Sequence, residues 1–227
     1  RTRVMGKNRA DHNRIAIPQV LKSIDSNYVA AHIGKWHIDE DPSKYGYDFH
    51  DGMTRNKEGG FDQDSRRQWG GYAEDDPKLV YSLTSRAIDF IKDSKSKNKP
   101  FFLQLSHYAV HSNLVYSKFS FEDLSHRSKG LIHKNLAYAA MVNDFDLSIG
   151  KFLEACKEMG LDGDTYIIFT SDNGGMPVLP MQANKGKPYK SGLNSPLLRG
   201  KWDLTEGGIR VPFAIVGGKP ININIGS

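Results

Sequence analysis

Three short runs place reactive side chains directly after apolar segments: Gly34-Lys-Trp-His37, Ser106-His-Tyr-Ala-Val-His111 and Ser171-Asp-Asn-Gly-Gly175. The carboxylate of Asp172 beside the amide oxygen of Asn173 suits a hard divalent cation. Lys35, His37 and His111 suit an oxyanion and proton transfer. Together these groups describe ester hydrolysis at a phosphorus or sulfur centre. His107 and His111 are spaced i, i+4, which on a helix could make a zinc pair. The β-type run before them and the lack of an intervening Glu argue against that reading. His107 is therefore expected to be structural and His111 functional.

Such groups need a scaffold that brings them together, and the hydrophobic pattern predicts one. Apolar β-type runs alternate with helix-period segments, the signature of a mostly parallel sheet covered by helices, an α/β class. A short helix over 18–27 carries Val20, Leu21 and Ile24 on one face and precedes a strand over 28–33. Val80, Leu83, Ala87 and Phe90 form a second helical stripe before a strand over 101–105. Val142, Phe145, Ile149, Phe152, Cys156 and Met159 form a third, closed by Gly160, before a buried strand over 166–169; residues 211–216 read as one more strand. In parallel sheets ligands sit at the carboxyl ends of the strands, so Lys35, His37, His111, Asp172 and Asn173 are expected on one edge. Three stretches, about 39–77, 112–130 and 174–200, exceed ordinary connections and are expected to serve a site or lid. Within the first of them, Arg55, Lys57, Arg66, Arg67 and Trp69 could bind an anionic ligand, although a solvated loop is the default reading.

The 227 residues suffice for a single well-buried domain, the expectation for residues 1–227. No apolar run approaches the length of a membrane helix, so no span is expected. Lys plus Arg number 31 against 26 Asp plus Glu, a net +5, and no basic-aromatic module points to nucleic acid. The single cysteine, Cys156, excludes an internal disulfide and a thiolate metal cluster. Its place on an apolar helical stripe marks it as core.

At the reactive runs the sequence resembles the sulfatase family, within the alkaline phosphatase superfamily. Gly34-Lys-Trp-His37 matches its Gly-Lys-Trp-His box and Phe169-Thr-Ser-Asp-Asn-Gly-Gly175 its second metal-ligand box. Lys201-Trp-Asp-Leu-Thr-Glu-Gly-Gly-Ile-Arg-Val-Pro212 resembles a third box, and the order of all three agrees. The resemblance implies an α/β/α sandwich and hydrolysis of a sulfate ester, carried on a small molecule or a carbohydrate. It implies that Asp172 and Asn173 ligate a divalent metal, Ca2+ or else Mg2+, and that Lys35 and Lys201 hold sulfate oxygens. His37 would contact the nucleophile and His111 would protonate the leaving oxygen. Glu206 and Arg210 are expected to brace the turn at Gly207 and Gly208.

The family's nucleophile is a formylglycine made in a Cys-x-Pro-x-Arg box, expected here in a missing segment. The chain is read as a fragment truncated at both ends and inactive alone. Asn113 departs from the Pro that many members carry there, and the run Arg199-Gly200-Lys201 lacks a further glycine often present ahead of the lysine. A phosphodiesterase or phosphonate hydrolase of the same superfamily and a non-catalytic anion-binding protein are the alternatives. The resemblance makes a periplasmic or secreted bacterial enzyme the expected setting.

Overall fold

A computed structural model describes residues 15–62, 70–130, 134–176 and 194–219. Expectations for Arg66, Arg67, Trp69 and most of the 174–200 stretch lie outside these residues. Two compact units emerge, one made of Arg1–Arg127 and Asn135–Phe152, the other of Ser128–Lys134 and Leu153–Ser227.

The first unit is organised around β1 (Val29–Gly34), preceded by helix α1 (Ile17–Ile24). Residues 30–34 are all buried, as a strand covered on both faces requires. Two parallel strands flank it: β2 (Phe49–His50) and β4 (Phe101–Ser106). The β1–β4 register runs from Val29 opposite Phe101 to Gly34 opposite Ser106. A second parallel pair joins β3 (Tyr72–Ala73) to β5 (Val115–Tyr116). Helix α2 (Val80–Ser96) buries Leu83 and Ala87 against Ile33 and Tyr108. Asp76 caps its start, accepting the Tyr81 N–H at 2.8 Å and the Ser82 N–H at 3.2 Å. Because α2 leads by a short turn into the start of β4, its own N-terminus lies at the carboxyl end of the parallel strands. On another side of β1, Ala30 packs with Tyr45 and Tyr47, joined by Trp36 and Phe102.

Helix α4 (Leu136–Glu158) follows the short α3 (Lys118–Ser125) and buries Ala140, Met141, Asp144, Ser148 and Cys156. Asp144 is 1% exposed and works as an acceptor hub. It takes the Ser117 N–H at 2.7 Å, the Ser117 and Ser120 hydroxyls at 2.6 Å each, and the Tyr81 hydroxyl at 3.1 Å. One buried carboxylate thus ties α4 to the starts of α2 and α3. Asp144→Asn places an N–H2 among donors and is expected to lower stability by about 2 kcal/mol in urea unfolding. Wild-type stability in that variant would show that the hub contributes nothing.

In the second unit, β6 (Tyr166–Thr170) pairs antiparallel with β7 (Phe213–Gly217), and a single helical turn, α5 (Glu206–Ile209), precedes β7. The predicted strand is present but not buried: Ile168 is 59% exposed and its neighbour Ile215 is 47% exposed. A two-stranded ribbon has two broad faces: Ile167 and Val216 line a cavity with Leu153, Cys156 and Leu161, while the face of Ile168 and Ile215 is open. The apolar face predicted for α1 is also open, with Val20 and Ile24 exposed. Helices combined with parallel strands are the α/β class expected. The long stretches are less irregular than their sequences imply, since they hold β2, β3, β5 and α3.

Candidate active site

The end of β1 is held atom by atom. The Gly34 N–H donates to Asp51 Oδ2 at 2.8 Å and the Lys35 N–H to the Ser106 carbonyl at 2.8 Å. Thr54 serves three partners: its hydroxyl donates to the Gly34 carbonyl at 2.5 Å, its Oγ1 accepts the Trp36 N–H at 3.0 Å, and its carbonyl accepts the His37 N–H at 2.8 Å. His37 itself has a left-handed backbone, φ 60°, uncommon outside glycine and typical of constrained functional positions. Arg86 forks onto both Asp51 oxygens. Burial alone would push Asp51 upward, but Arg86 and the Gly34 N–H outweigh it and hold the carboxyl below the usual range. Thr54, Asp51 and Arg86 carry no motif, and only their contacts identify them as supports of Lys35 and His37.

Beneath this strand end, His32 is fully buried, and among the described residues neither ring nitrogen makes a hydrogen bond. Trp36 and Tyr47 meet its ring edge-on at 4.9 and 5.7 Å. Desolvation drives its pKa down to about 4, partly offset by Asp51. His107 is likewise lowered to about 4 by desolvation. It sits between Thr84 Oγ1 at 3.2 Å and the Phe145 ring at 5.0 Å, the structural role expected of it. Both rings are neutral in the fold, while the unfolded chain protonates near pH 6.5. Their stabilisation is complete above that value and lost as pH falls through about 4. Each is expected to cost on the order of 2 kcal/mol between pH 7 and pH 5. Urea unfolding at the two pH values checks this, and His32→Asn should flatten the dependence.

His111 follows β4. Its N–H donates to the Tyr108 carbonyl at 3.0 Å, and Nδ1 lies 2.7 Å from the Ser112 carbonyl. That contact makes Nδ1 a donor, so Nε2 is the nitrogen placed to exchange a proton. Phe61 meets the ring edge-on at 5.3 Å. Asn113, the departure from proline, is fully buried and accepts the Asp62 N–H at 3.2 Å. Because β1 and β4 are parallel and in register, Lys35, His37 and His111 all leave the same edge of one sheet.

The second unit joins two of the boxes through backbone contacts. The Lys201 N–H donates to the Gly175 carbonyl at 2.8 Å, and the Gly174 N–H to the Gly208 carbonyl at 2.9 Å. A Cβ on Gly174 would lie 1.9 Å from the Gly207 oxygen, so this approach admits only glycine. Arg210 reaches Glu206 at 3.5 Å in an exposed pair, whereas the turn itself is set by these glycine contacts. Asn173 Nδ2 donates to the Gly174 carbonyl at 2.9 Å. Its Oδ1, which makes no hydrogen bond among the described residues, and the Asp172 carboxylate are oxygens of the kind a hard cation takes, and together they would supply two of the roughly six to eight that calcium needs. No cluster of three or more His, Cys, Asp or Glu suited to a metal occurs among the described residues. Cys156 is buried and its thiol pushed up to about 11 by burial, which suits core rather than nucleophile.

Known proteins bear on these features. The sulfatase family profile matches residues 4–219. N-acetylgalactosamine-6-sulfatases of Canis lupus familiaris and Homo sapiens are 30% and 31% identical over 217 residues, 86% of this chain. The chain spans 38% of the length of each. Among solved structures, Ps i-CgsB in complex with k-i-k-neocarrahexaose superposes with a TM-score of 0.66 at 24% identity. That match covers 94% of this chain and 51% of the other. A protein solved with its substrate D-glucosamine-2-N,6-O-disulfate gives 0.61 at 15% identity, covering 92% and 56%. No described helix is long and apolar enough to cross a membrane. With the profile matching nearly the whole length, the chain belongs to the sulfatase family.

Proposed function

We propose that the chain supplies catalytic groups for hydrolysis of a sulfate ester carried on a carbohydrate. The observation that carries this reading is the exit of Lys35, His37 and His111 from one edge of a parallel sheet in a sulfatase-family chain. Ligands of parallel sheets bind at that edge.

In this reading Lys35 and Lys201 neutralise sulfuryl oxygens, which lowers the cost of charge building there in the transition state. His37 contacts the nucleophile. His111, with Nδ1 committed to the Ser112 carbonyl, passes a proton from Nε2 to the departing alkoxide. Asp172 and Asn173 would hold a calcium-like cation that adds positive charge, and the formylglycine implied by the family would supply the nucleophile. The carbohydrate is favoured because two structural neighbours were solved with saccharides bound.

The test is release of free sulfate from sulfated monosaccharides by the protein at its full natural length. Stoichiometric sulfate is expected, falling on chelation and returning with added calcium. No sulfate from any sulfated sugar or aryl sulfate counts against the reading, and release indifferent to chelation counts against the metal ligands.

A further inference from the structure

The loop that carries Lys201 has a backbone fixed residue by residue. Arg199 at φ 56° and Trp202 at φ 73° both lie in the left-handed region, which a bulky side chain adopts only when its surroundings enforce it. Those surroundings are hydrogen bonds on both sides of the lysine. The Lys201 N–H donates to the Gly175 carbonyl at 2.8 Å, the Asp203 N–H to the Gly200 carbonyl at 3.0 Å, and the Gly207 N–H to the Leu198 carbonyl at 2.9 Å. Asn194 Nδ2 donates to the Gly175 and Arg199 carbonyls at 2.9 and 2.8 Å. The Asp203 carboxylate accepts from the Arg199 guanidinium at 2.7 Å and from the Thr205 N–H at 3.0 Å.

This constrained loop holds an indole out in solvent. Trp202 is 79% exposed, more than any other Phe, Tyr or Trp among the described residues. A scattered exposed apolar residue is ordinary, but this one is fixed by a left-handed backbone immediately beside a lysine. The Lys201 Nζ lies 5.9 Å from the ring centroid, the outer limit of a cation–π contact. Asp203, the carboxylate nearest in sequence, is committed to Arg199, and the ammonium meets the indole instead. An ammonium beside an open aromatic face matches the two halves of a sulfated sugar. The sulfate takes the charge, and the C–H face of the pyranose covers the ring, which removes apolar area on both sides from water. A sulfate ester without a ring would use the lysine alone.

We infer that Trp202 is a specificity residue whose indole stacks on the pyranose ring of the sulfate held by Lys201, so that this loop selects cyclic sugar sulfates over acyclic ones. This rests on the sulfate-ester reading above, and binding separates it from turnover. The test is calorimetric titration of the full-length protein, in a His111→Ala background, with glucose 6-sulfate and with ethyl sulfate, which carries the same charge and no ring. The sugar sulfate is expected to bind about 10-fold more tightly. Trp202→Ala should bring the two ligands within about 2-fold by weakening the sugar sulfate alone, and Trp202→Phe, which keeps an aromatic face, should restore most of the ratio. Fluorescence gives a second readout that needs no titration of the variants: iodide should quench the emission that Trp202→Ala removes, and glucose 6-sulfate should protect it where ethyl sulfate does not. Equal weakening of both ligands in Trp202→Ala, a ratio unchanged by the substitution, or an indole already shielded from iodide by another part of the ligand-free full-length chain overturns the inference. A Trp202-dependent preference without sulfate release by the unsubstituted protein would uphold it and overturn only the catalytic reading. Binding of neither ester would overturn both.

Discussion

His111→Ala is expected to lower kcat for a sulfate ester about 1000-fold in the full-length enzyme, with far less change in KM. The size follows from the role. A poor alkoxide leaving group needs its proton as the ester bond breaks, and water replaces a positioned imidazole badly. The structure supports that position, since Nδ1 is committed to the Ser112 carbonyl and the backbone to Tyr108. The side chain is half-buried and meets the Phe61 ring edge-on, so truncation should leave the fold intact. An activated ester with a good leaving group should recover much of the lost rate, because it needs little proton donation. Unchanged turnover in this variant, or an equal loss for good and poor leaving groups, would remove His111 from the role of acid.

Gly34→Ala is expected to cost about 4 kcal/mol, from the left-handed-side backbone and the steric overlap together. Gly34 has φ 98°, and a Cβ there would stand 2.1 Å from the Ser106 carbonyl oxygen. That carbonyl is backbone of the adjacent strand and accepts the Lys35 N–H, so it cannot move without breaking the β1–β4 edge. Against a typical total stability of about 5–15 kcal/mol, the loss is large. Chemical denaturation should show it as a lowered midpoint, and activity should fall further than stability because Lys35 and His37 are displaced together. A stable and fully active Gly34→Ala protein would mean that this strand end does not set the positions of those residues.

The elements that position these residues were legible where the hydrophobic period was long. Val80 marks the first residue of α2, although the stripe read to Phe90 stops short of its end at Ser96, and the run over 101–105 marks β4 to within a residue. The two-residue strands β2, β3 and β5 carry no alternation to read, because a pair of residues has no period. The pairing of β7 antiparallel to β6 was equally hidden, since apolar residues do not encode strand direction. The exposed face of Ile168 and Ile215 shows the converse, for apolar content alone does not establish what covers a strand. At the site, the motif residues stood out because several boxes occur in order. Thr54, Asp51 and Arg86 stayed silent since a hydroxyl, a carboxylate and a guanidinium acquire meaning only through their contacts.

The central claim is that these groups serve a sulfur rather than a phosphorus centre. The most direct measurement is kcat/KM of the full-length protein on paired 4-nitrophenyl sulfate and 4-nitrophenyl phosphate, where the leaving group is held constant. The account predicts a preference for the sulfate of about 100-fold or more, equivalent to roughly 3 kcal/mol in transition-state binding. A preference for the phosphate would contradict it and assign the same lysines and histidines to phosphoryl transfer.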